Sequence, residues 1–499
     1  MANPLAEELR RNRRAAPCCL VIFGATGDLT RRKLMPSLTG LHQDDLLPAK
    51  FAVVGFARRD KTDQEFRDEL RVGVQEHARG EGTESFNAME DSVFYHRSTF
   101  EDPAGYTALR ERLDQIDRDL GTEGNRIFYL ATPPDAYSGI LSNLKEAGLS
   151  QELGDAFVRV VVEKPFGTDL GTATSLNEQV GAAFEEDQVY RIDHYLGKET
   201  VQNILAMRFA NGIYEPLWNS HHVDHVQITV AEAIGIEGRA DYFEDAGIIR
   251  DMIQNHLFQV LTLIAMEPPV SLRANHVRDE KVKVLHAIDT FEPAEVRDNT
   301  LRGRYTRDFV AGKEVPGYLE EEGVSPESTT ETYAAVRLEV NNWRWGDTPF
   351  FLRAGKRLPR RVSEVAIHFK QPPHHLFADS ELRPNILLLR IQPDEGISVR
   401  FGSKVPGPNV DIRDVRMDFR YGSTFGHNSA DGYERLLLDA MLGDSTLFAR
   451  RDEVEEAWRV VDSIVAGWDG YGPRPYGAGT WGPDAADDLL GAGRHWRKP

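Results

Sequence analysis

The sequence predicts an α/β domain followed by an α+β domain. Up to about residue 200, short and almost continuously apolar runs alternate with helical patterns, as in a parallel sheet that helices bury on both faces. After about residue 210, strand-like segments follow one another with few helices between them, which is typical of a large, mostly antiparallel sheet. A chain of 499 residues exceeds one ordinary core, so two domains are expected.

The expected elements follow from these patterns. In the first domain, apolar runs predict strands at residues 18–23, 51–56, 127–131, 156–162 and 190–192. In the second domain, strand-like and often alternating segments predict strands at residues 223–233, 332–340, 362–369, 386–392 and 397–401. Helical spacing predicts helices at residues 242–266, 432–442 and 452–468. The Gly/Pro-rich stretch 467–482 is expected to be an ordered surface tail or a loose terminus.

Composition excludes several classes of protein. With 41% hydrophobic and 28% charged residues, the chain is ordinary globular material. A net charge of −20 disfavours nucleic acid and anionic membranes as partners. Anionic small ligands would then need positive charge concentrated locally, as the basic residues at 31–33, 58–59 and 164 would provide.

Cysteine usage indicates the compartment. The two cysteines, Cys18 and Cys19, are adjacent within a predicted core strand, which leaves no disulfide framework and no cysteine-based metal site. We expect no metal and a reducing, cytoplasmic location. No apolar run reaches the length of a membrane span, and the first residues lack the hydrophobic region of a signal peptide.

A glycine turn follows the first predicted strand. Gly24, Thr26, Gly27, Asp28 and Leu29 lie between that strand and a helix-like segment. Glycine lets a backbone turn tightly and approach a pyrophosphate at a helix N-terminus, so the pattern predicts a Rossmann-type dinucleotide-binding domain. The spacing is Gly-x-x-Gly and not Gly-x-Gly-x-x-Gly. A plain strand-to-helix turn therefore remains an alternative.

The end of the second predicted strand indicates which dinucleotide binds. Arg58 stands where an NAD enzyme usually carries an acid for the ribose 2′-hydroxyl, and an arginine fits a 2′-phosphate instead. NADP is therefore the expected coenzyme. The interval from Gly27 to Arg58 is longer than the usual spacing of roughly twenty residues, so Arg58 or Arg59 could be a solvated charge.

Two further strands end in residues suited to ligand contacts. In open α/β sheets, ligands lie beyond the carboxyl ends of the strands. Tyr129, Ala131 and Pro133 at one strand end, and Glu163 with Lys164 at another, are therefore expected to border the nicotinamide and the substrate. The alternatives are a proline-stiffened loop for Pro133 and a surface charge for Lys164.

A polar cluster lies between a predicted strand and a predicted helix, in the sequence RIDHYLGKE at residues 191–199. His194, Tyr195 and Lys198 offer donors and positive charge of the kind that a phosphate site requires. Asp193 could orient a base. A solvated turn with an ordinary ion pair is the alternative interpretation.

His256 is the candidate for that base. At 100° per residue it shares a helix face with Ile249, Met252 and Val260, while Asp251 lies about 140° away. We therefore expect the two not to pair, and Asp193 to be the carboxylate that faces His256. A satisfied core histidine is the alternative, whereas a pair with Asp193 would make His256 a general base of near-neutral pKa.

Four segments in order, GATGDLTRRKLMPSL, EKPFG, RIDHYLGKE and GIIRDMIQNH, closely resemble the glucose-6-phosphate dehydrogenase family. The resemblance extends from about residue 18 to about residue 468. It implies oxidation of the C1 hydroxyl of β-D-glucose 6-phosphate to 6-phosphoglucono-δ-lactone, with NADP as hydride acceptor, at the entry of the oxidative pentose phosphate pathway. Some members also use NAD.

The resemblance also implies residue roles. It makes His256 the catalytic base and Asp193 its partner. The implied phosphate-binding set is His194, Tyr195 and Lys198, and Lys164 is the implied lysine between coenzyme and sugar. Glu232 and Asp251 are the implied acids for sugar hydroxyls, and Lys356 and Arg361 are the implied basic pair near the phosphate. The implied coenzyme contacts are Gly24, Thr26, Gly27, Asp28, Leu29 and Arg58. Ala-Ile-Gly follows Glu232 where many relatives have Pro-Phe-Gly, which leaves the loop shape open.

The domain boundaries and assembly are expectations too. Residues 1–17 are expected to form an N-terminal arm, residues 18–197 the coenzyme-binding domain, and residues 198–499 a substrate and dimerisation domain. A large sheet with one face covered by helices has another face to bury, which favours a homodimer or homotetramer through that sheet. Two rival functions remain: a dehydrogenase of unphosphorylated sugars, and a non-enzymatic NADP sensor, which should lack a base.

Overall fold

A computed structural model describes residues 14–374, 376–377, 382–425 and 431–499. Residues 1–13, most of the expected N-terminal arm, lie outside this range. The described chain divides into two compact units. The first holds residues 14–197, 271–278 and 431–454, and the second holds residues 198–270, 279–425 and 455–499. The first unit thus takes up two later segments that the sequence did not assign to it.

The first unit contains a parallel sheet. Its strands are β1 Cys18–Phe23, β2 Phe51–Ala57, β3 Val93–Arg97, β4 Arg126–Leu130, β5 Val158–Val162 and β6 Val189–Ile192. Their spatial order is β6-β5-β4-β1-β2-β3, and the short strand Phe448–Ala449 adds antiparallel beside β6. The predicted strands of this domain are confirmed to within about two residues at each end. β3 was missed because VFYHR is short and carries two basic side chains.

Helices cover this sheet. They are Met35–Gln43, Asp63–His77, Gly82–Met89, Pro103–Leu120, Tyr137–Glu146, Leu170–Ala183 and Gly432–Leu442. β1 is buried along its whole length, because strands of a parallel sheet lie between two helical layers. Cys18 and Cys19 are free and fully buried there. Burial raises the pKa of the Cys19 thiol to about 12, so both cysteines are core residues and not nucleophiles.

The second unit contains the large sheet. Its long strands are β7 Val223–Ala231, β8 Thr300–Thr306, β11 Tyr333–Glu339, β12 Pro349–Gly355, β13 Val362–Phe369, β14 Ile386–Gln392, β15 Gly396–Lys404 and β16 Ile412–Arg420, while β9 Asp308–Val310 and β10 Lys313–Val315 form a separate hairpin. The order is β16-β15-β14-β13-β7-β12-β11-β8, with Arg474–Gly477 beside β8. Pairing is antiparallel except at β7–β12 and at the added strand, which confirms a mostly antiparallel sheet.

The C-terminal residues are ordered across the middle of this sheet. The side chain of Gln227 donates to the carbonyl of His495 at 2.9 Å and accepts from the N–H of Arg497 at 2.8 Å. The guanidinium of Arg353 donates to the carbonyl of Arg497 at 2.5 Å. The terminal segment is thus an ordered cover, whereas most residues of the edge strand β16 are exposed and β15 beside it is mostly half-buried.

The remaining helices are Glu199–Phe209, Ala240–Ile248, Phe258–Ala265, Ala274–His286, Pro293–Asn299, Tyr421–Phe425 and Arg451–Gly467. The predicted helix 242–266 is not continuous. It breaks at Gly247, whose backbone (φ 60°, ψ 177°) is not helical, and continues as a π-helix over Ile249–Leu257. A Cβ at Gly247 would lie 2.2 Å from Glu331 Oε1, so the break requires glycine.

Candidate active site

The glycine turn joins the carboxyl ends of three strands. The N–H of Gly24 donates to the carbonyl of Phe56 at 3.0 Å, and the N–H of Gly27 closes the turn on Gly24 at 2.9 Å. Gly24 has a φ of +80°, and a Cβ there would lie 2.5 Å from the carbonyl oxygen of Ala131. Gly27 and Asp28 are exposed, with Thr26 and Leu29 half-buried. The turn therefore presents backbone at the sheet edge where a pyrophosphate would bind.

The basic residues after the turn are balanced by carboxylates. A short π-helix, Thr30–Leu34, carries them in place of the expected regular helix. The ion pairs are Arg31–Glu76 at 3.3 Å, Arg32–Asp28 at 3.2 Å and Lys33–Asp431 at 2.8 Å. The positive charge expected at residues 31–33 is thus partly neutralised.

Arg58 directly follows β2 and its side chain is exposed. Within the described chain, no ion pair involves Arg58, whereas the nearby Arg97 contacts Asp60 at 3.0 Å. The guanidinium of Arg58 is therefore available at the carboxyl end of the sheet, where a 2′-phosphate would lie.

The ends of β4 and β5 meet in a buried hydrogen-bond cluster. The hydroxyl of Tyr129 donates to Glu163 Oε1 at 2.5 Å, and the hydroxyl of Tyr137 donates to the carbonyl of Glu163 at 3.2 Å. Burial raises the pKa of the Glu163 carboxyl above its ordinary value. Tyr129 is fully buried, so its side chain supports the strand end. Ala131, Pro133 and the half-buried Lys164 are the more accessible groups of the two loops.

The polar cluster at 191–199 folds as expected, with a turn after β6 and a helix from Glu199. Asp193 is only 2% exposed, and its Oδ1 accepts the N–H of Tyr195 at 2.9 Å. This bond holds the carboxylate in one orientation. Tyr195 is buried, while His194 is half-buried with its ring 5.1 Å from that of Tyr195. Lys198 is the N-cap residue of the following helix, at the start of the second unit.

His256 lies on the π-helix of the second unit and is 1% exposed. The N–H of Phe258 bonds to the carbonyl of Ile253, five residues earlier. In such a helix, residues five apart lie roughly one turn apart, whereas an α-helix has 3.6 residues per turn. The expected separation of about 140° between Asp251 and His256 assumed an α-helix and is wrong for this reason. π-helical turns are frequent at functional sites.

A buried lysine lies between the two acids expected to bind sugar hydroxyls. Lys356 Nζ is 2.6 Å from Glu232 Oε2 and 3.8 Å from Asp251 Oδ2. The hydroxyl of Tyr242 lies 3.2 Å from Asp251 Oδ1. Lys356 is 0% exposed, whereas Arg361 is exposed and donates to Gln392 at 3.3 Å. Lys356 and Arg361 thus occupy different environments.

Sequence reasoning missed three supporting residues. They are Glu331, whose Oε1 accepts the N–H of Ile249 at the start of the His256 helix, Tyr242, and Tyr433, which is hydrogen-bonded to Glu163. Their sequence surroundings carry no motif, because long-range packing brings each of them to its partner. The sequence signal that could have pointed to Glu331 is Gly247, which breaks the helix just before Ile249.

The parallel sheet with its glycine turn is the fold of dinucleotide-dependent dehydrogenases. The chain also carries a buried imidazole and buried carboxylates, which are side chains of the kind that acid–base catalysis uses. A comparison with known protein families identifies the family within this class. Residues 21–203 match the family model "Glucose-6-phosphate dehydrogenase, NAD binding domain", and residues 205–497 match "Glucose-6-phosphate dehydrogenase, C-terminal domain". The chain belongs to the glucose-6-phosphate dehydrogenase family.

Individual relatives match this chain over nearly its whole length. Glucose-6-phosphate 1-dehydrogenase 2 of Mycobacterium bovis is 48% identical over 100% of this chain and 98% of the relative. Glucose-6-phosphate 1-dehydrogenase of Aggregatibacter actinomycetemcomitans is 50% identical over 97% and 98% of the two chains. A solved glucose-6-phosphate dehydrogenase in complex with glucose 6-phosphate has a TM-score of 0.90 and 35% identity, covering 98% of this chain and all of that one.

Among the helices of the described chain, we find none with the length and apolar character needed to cross a membrane.

Proposed function

We propose that this protein is a glucose-6-phosphate 1-dehydrogenase, which oxidises C1 of β-D-glucose 6-phosphate to 6-phosphoglucono-δ-lactone. One observation carries the proposal: the groups that the family motifs assign to chemistry are buried, where solvated turns would leave them exposed. Asp193, His256 and Lys356 are all nearly inaccessible. Burial of ionisable groups is costly unless they are paired, so such groups often mark a functional site.

His256 is the proposed base. Its imidazole would take the proton from the C1 hydroxyl as the C1–H bond breaks with its electron pair, so that C1 becomes the lactone carbonyl. Asp193 is the proposed partner that orients the ring and stabilises its protonated form. The bond from the N–H of Tyr195 to Asp193 Oδ1 supports this role, because it fixes the carboxylate in advance.

The other side chains bind and position the sugar in this proposal. His194, Tyr195 and Lys198 would hold the 6-phosphate, with Arg361 near it. Glu232 and Asp251 would accept hydrogen bonds from sugar hydroxyls, and Lys356 would keep both acids in place. Lys164 would lie between sugar and coenzyme.

The coenzyme proposed for this chain is NADP, with NAD as a second acceptor. The exposed turn at Gly27 and the exposed Arg58 fit a pyrophosphate and a 2′-phosphate. Thr26, Asp28 and Leu29 would line the turn, and Ala131 and Pro133 would border the ring. When bound, NADP+ supplies the hydride acceptor. The chain's own residues orient the sugar and remove the proton.

We also propose a cytoplasmic homodimer or homotetramer. Two buried and free cysteines suit a reducing compartment. For the assembly, the second face of the central sheet is covered by the C-terminal residues, so the exposed end at β15 and β16 is the better candidate for an interface. Val415 and Met417 are exposed there on an edge strand, and unpaired edges favour pairing with another chain.

Initial rates with two sugars and two coenzymes test the function. The purified protein should reduce NADP+ with glucose 6-phosphate far faster than with glucose at equal concentrations, followed by NADPH absorbance. A preference for free glucose would favour the sugar-dehydrogenase rival. No turnover of either sugar would favour the sensor. His256→Asn, prepared in parallel, controls for contaminating activity.

A further inference from the structure

The N-terminus of the helix Gly432–Leu442 contacts three functional segments of the first unit. Asp431, its N-cap, accepts the N–H of Tyr433 at 3.0 Å. The same carboxylate binds Lys33 at 2.8 Å, on the short helix that follows the glycine turn. The first contact is therefore an ion pair to the proposed coenzyme-binding segment.

The second contact is between two backbones. A Cβ at Gly432 would lie 2.7 Å from the carbonyl oxygen of His194, and a Cβ at Gly197 would lie 2.3 Å from the carbonyl oxygen of Gly432. No side chain fits between these backbones, so the helix start directly supports the turn that carries the proposed phosphate-binding residues.

The third contact runs through Tyr433. Its hydroxyl is hydrogen-bonded to the carboxyl of Glu163, which also accepts from Tyr129. Its ring lies parallel to that of His194, with an interplanar angle of 6° and centroids 6.4 Å apart. Burial and the nearby Glu163 raise the pKa of Tyr433 well above its ordinary value, so the hydroxyl remains a donor across the working pH range.

Resting on the proposed function, we infer that Tyr433 is a positioning residue that sets the phosphate-binding turn against the end of β5. Glu163 directly precedes Lys164, and two phenol donors fix its carboxyl. The ring that supplies one of those donors lies along His194. Tyr433 therefore links the lysine proposed to lie between coenzyme and sugar with a residue proposed to bind the 6-phosphate. It contributes to the preference for a phosphorylated sugar without touching it.

Tyr433→Phe tests this inference, because it removes the hydroxyl and keeps the ring. We expect kcat/KM for glucose 6-phosphate to fall roughly 3- to 10-fold, mainly through KM, as the loss of one hydrogen bond predicts. The kcat/KM for free glucose, which has no phosphate to bind, should stay within about twofold of the wild-type value.

The ratio of the two kcat/KM values is the decisive readout. Partial unfolding lowers both values equally and leaves their ratio unchanged, so a fall in the ratio supports positioning, and an unchanged ratio overturns it. Tyr137→Phe is the matched control, since it removes a buried phenol that also donates to Glu163 but only to its main chain. Its ratio should equal that of the wild type. A wild-type enzyme that prefers free glucose would instead refute the proposed function.

Discussion

Lys356 Nζ lies 2.6 Å from Glu232 Oε2 and 3.8 Å from Asp251 Oδ2, with the ammonium group fully buried. One cation therefore holds two carboxylates that come from different elements, the end of β7 and the π-helix. A carboxylate that is already paired with a cation keeps further lone pairs directed at a ligand. The relationship explains how two acids can stand side by side in the site proposed for a neutral sugar ring.

Replacing Lys356 with methionine should both destabilise the protein and weaken sugar binding. The substitution leaves two acids without their shared cation, and the cost expected for buried charged groups that lose a partner is roughly 1–3 kcal/mol in the free energy of unfolding. Chemical denaturation measures it. Lys283→Met is the control, because Lys283 pairs with Glu280 on the surface and its loss should cost less than about 0.5 kcal/mol. Equal losses of unfolding free energy in the two variants would show that the buried ion pairs of Lys356 contribute no more to stability than a surface pair does.

Lys198→Ala should raise KM for glucose 6-phosphate with little change in kcat. Removing uniform binding of a phosphate affects the ground state and the transition state alike, and a charged hydrogen bond accounts for a rise of roughly 10- to 100-fold. Steady-state kinetics with the phosphorylated sugar measure this. KM for free glucose is the internal control and should not move. An unchanged KM for the phosphorylated sugar would place the phosphate elsewhere.

Arg58→Asp should shift the coenzyme preference from NADP toward NAD. An arginine suits the 2′-phosphate, whereas a carboxylate repels it and accepts the ribose hydroxyl. We expect kcat/KM for NADP+ to fall roughly 10- to 100-fold, with that for NAD+ unchanged or higher. Arg118→Asp makes the same charge change on an exposed helix end and should alter neither value. If the preference does not shift, another residue recognises the 2′-phosphate.

Acid should destabilise the second unit through a histidine pair. The rings of His225 and His368 stack with centroids 4.1 Å apart. Burial first, and then His225 and Arg400, lower the pKa of His368 to about 3, from 6.5 in an unfolded chain. Between these pH values the unfolded state binds more protons than the folded state, so this stability is complete above pH 6.5 and is lost as the pH falls toward 3.

The surroundings of the pair bear on this pH dependence. The charged groups acting on it are Asp224, Arg400, Arg494 and Arg497. We expect the Tm of His368→Phe to fall by less than the Tm of the wild type between pH 7 and pH 5. His286→Phe, at a largely exposed site, should behave like the wild type. A wild-type Tm that does not fall between these pH values, or an unchanged slope in His368→Phe, would contradict the account.

Much of the fold and the site could be predicted from local sequence. β1 was predictable because CCLVIF is apolar throughout, and the turn at 193–198 because a strand and a helix on either side of it have clear periods. The π-helical turn at His256 was not predictable, since the same residues also fit an α-helical period. Which of the two helix types forms depends on the break at Gly247 and on the cap that Glu331 provides.

Long-range contacts between side chains could not be predicted from local sequence either. Tyr433 lies 270 positions after Glu163 by residue number, and no local pattern indicates that its helix joins the first unit. The burial of Lys356 and the exposure of Arg361 were also hidden, because both lie in one basic segment, LRAGKRLPRR. Which of these side chains is buried depends on the carboxylates that other strands and helices bring near them.

A double-mutant cycle on His256 and Asp193 measures whether the two side chains act as one catalytic unit. His256→Asn should lower kcat by roughly 10²- to 10⁴-fold, the usual contribution of a general base, while coenzyme binding is retained. If Asp193 acts through His256, the double variant with Asp193→Asn should be no slower than His256→Asn within about twofold, since residues that work as a unit are not additive. A double variant whose loss equals the product of the two single losses would show that the two side chains act independently and would contradict the account.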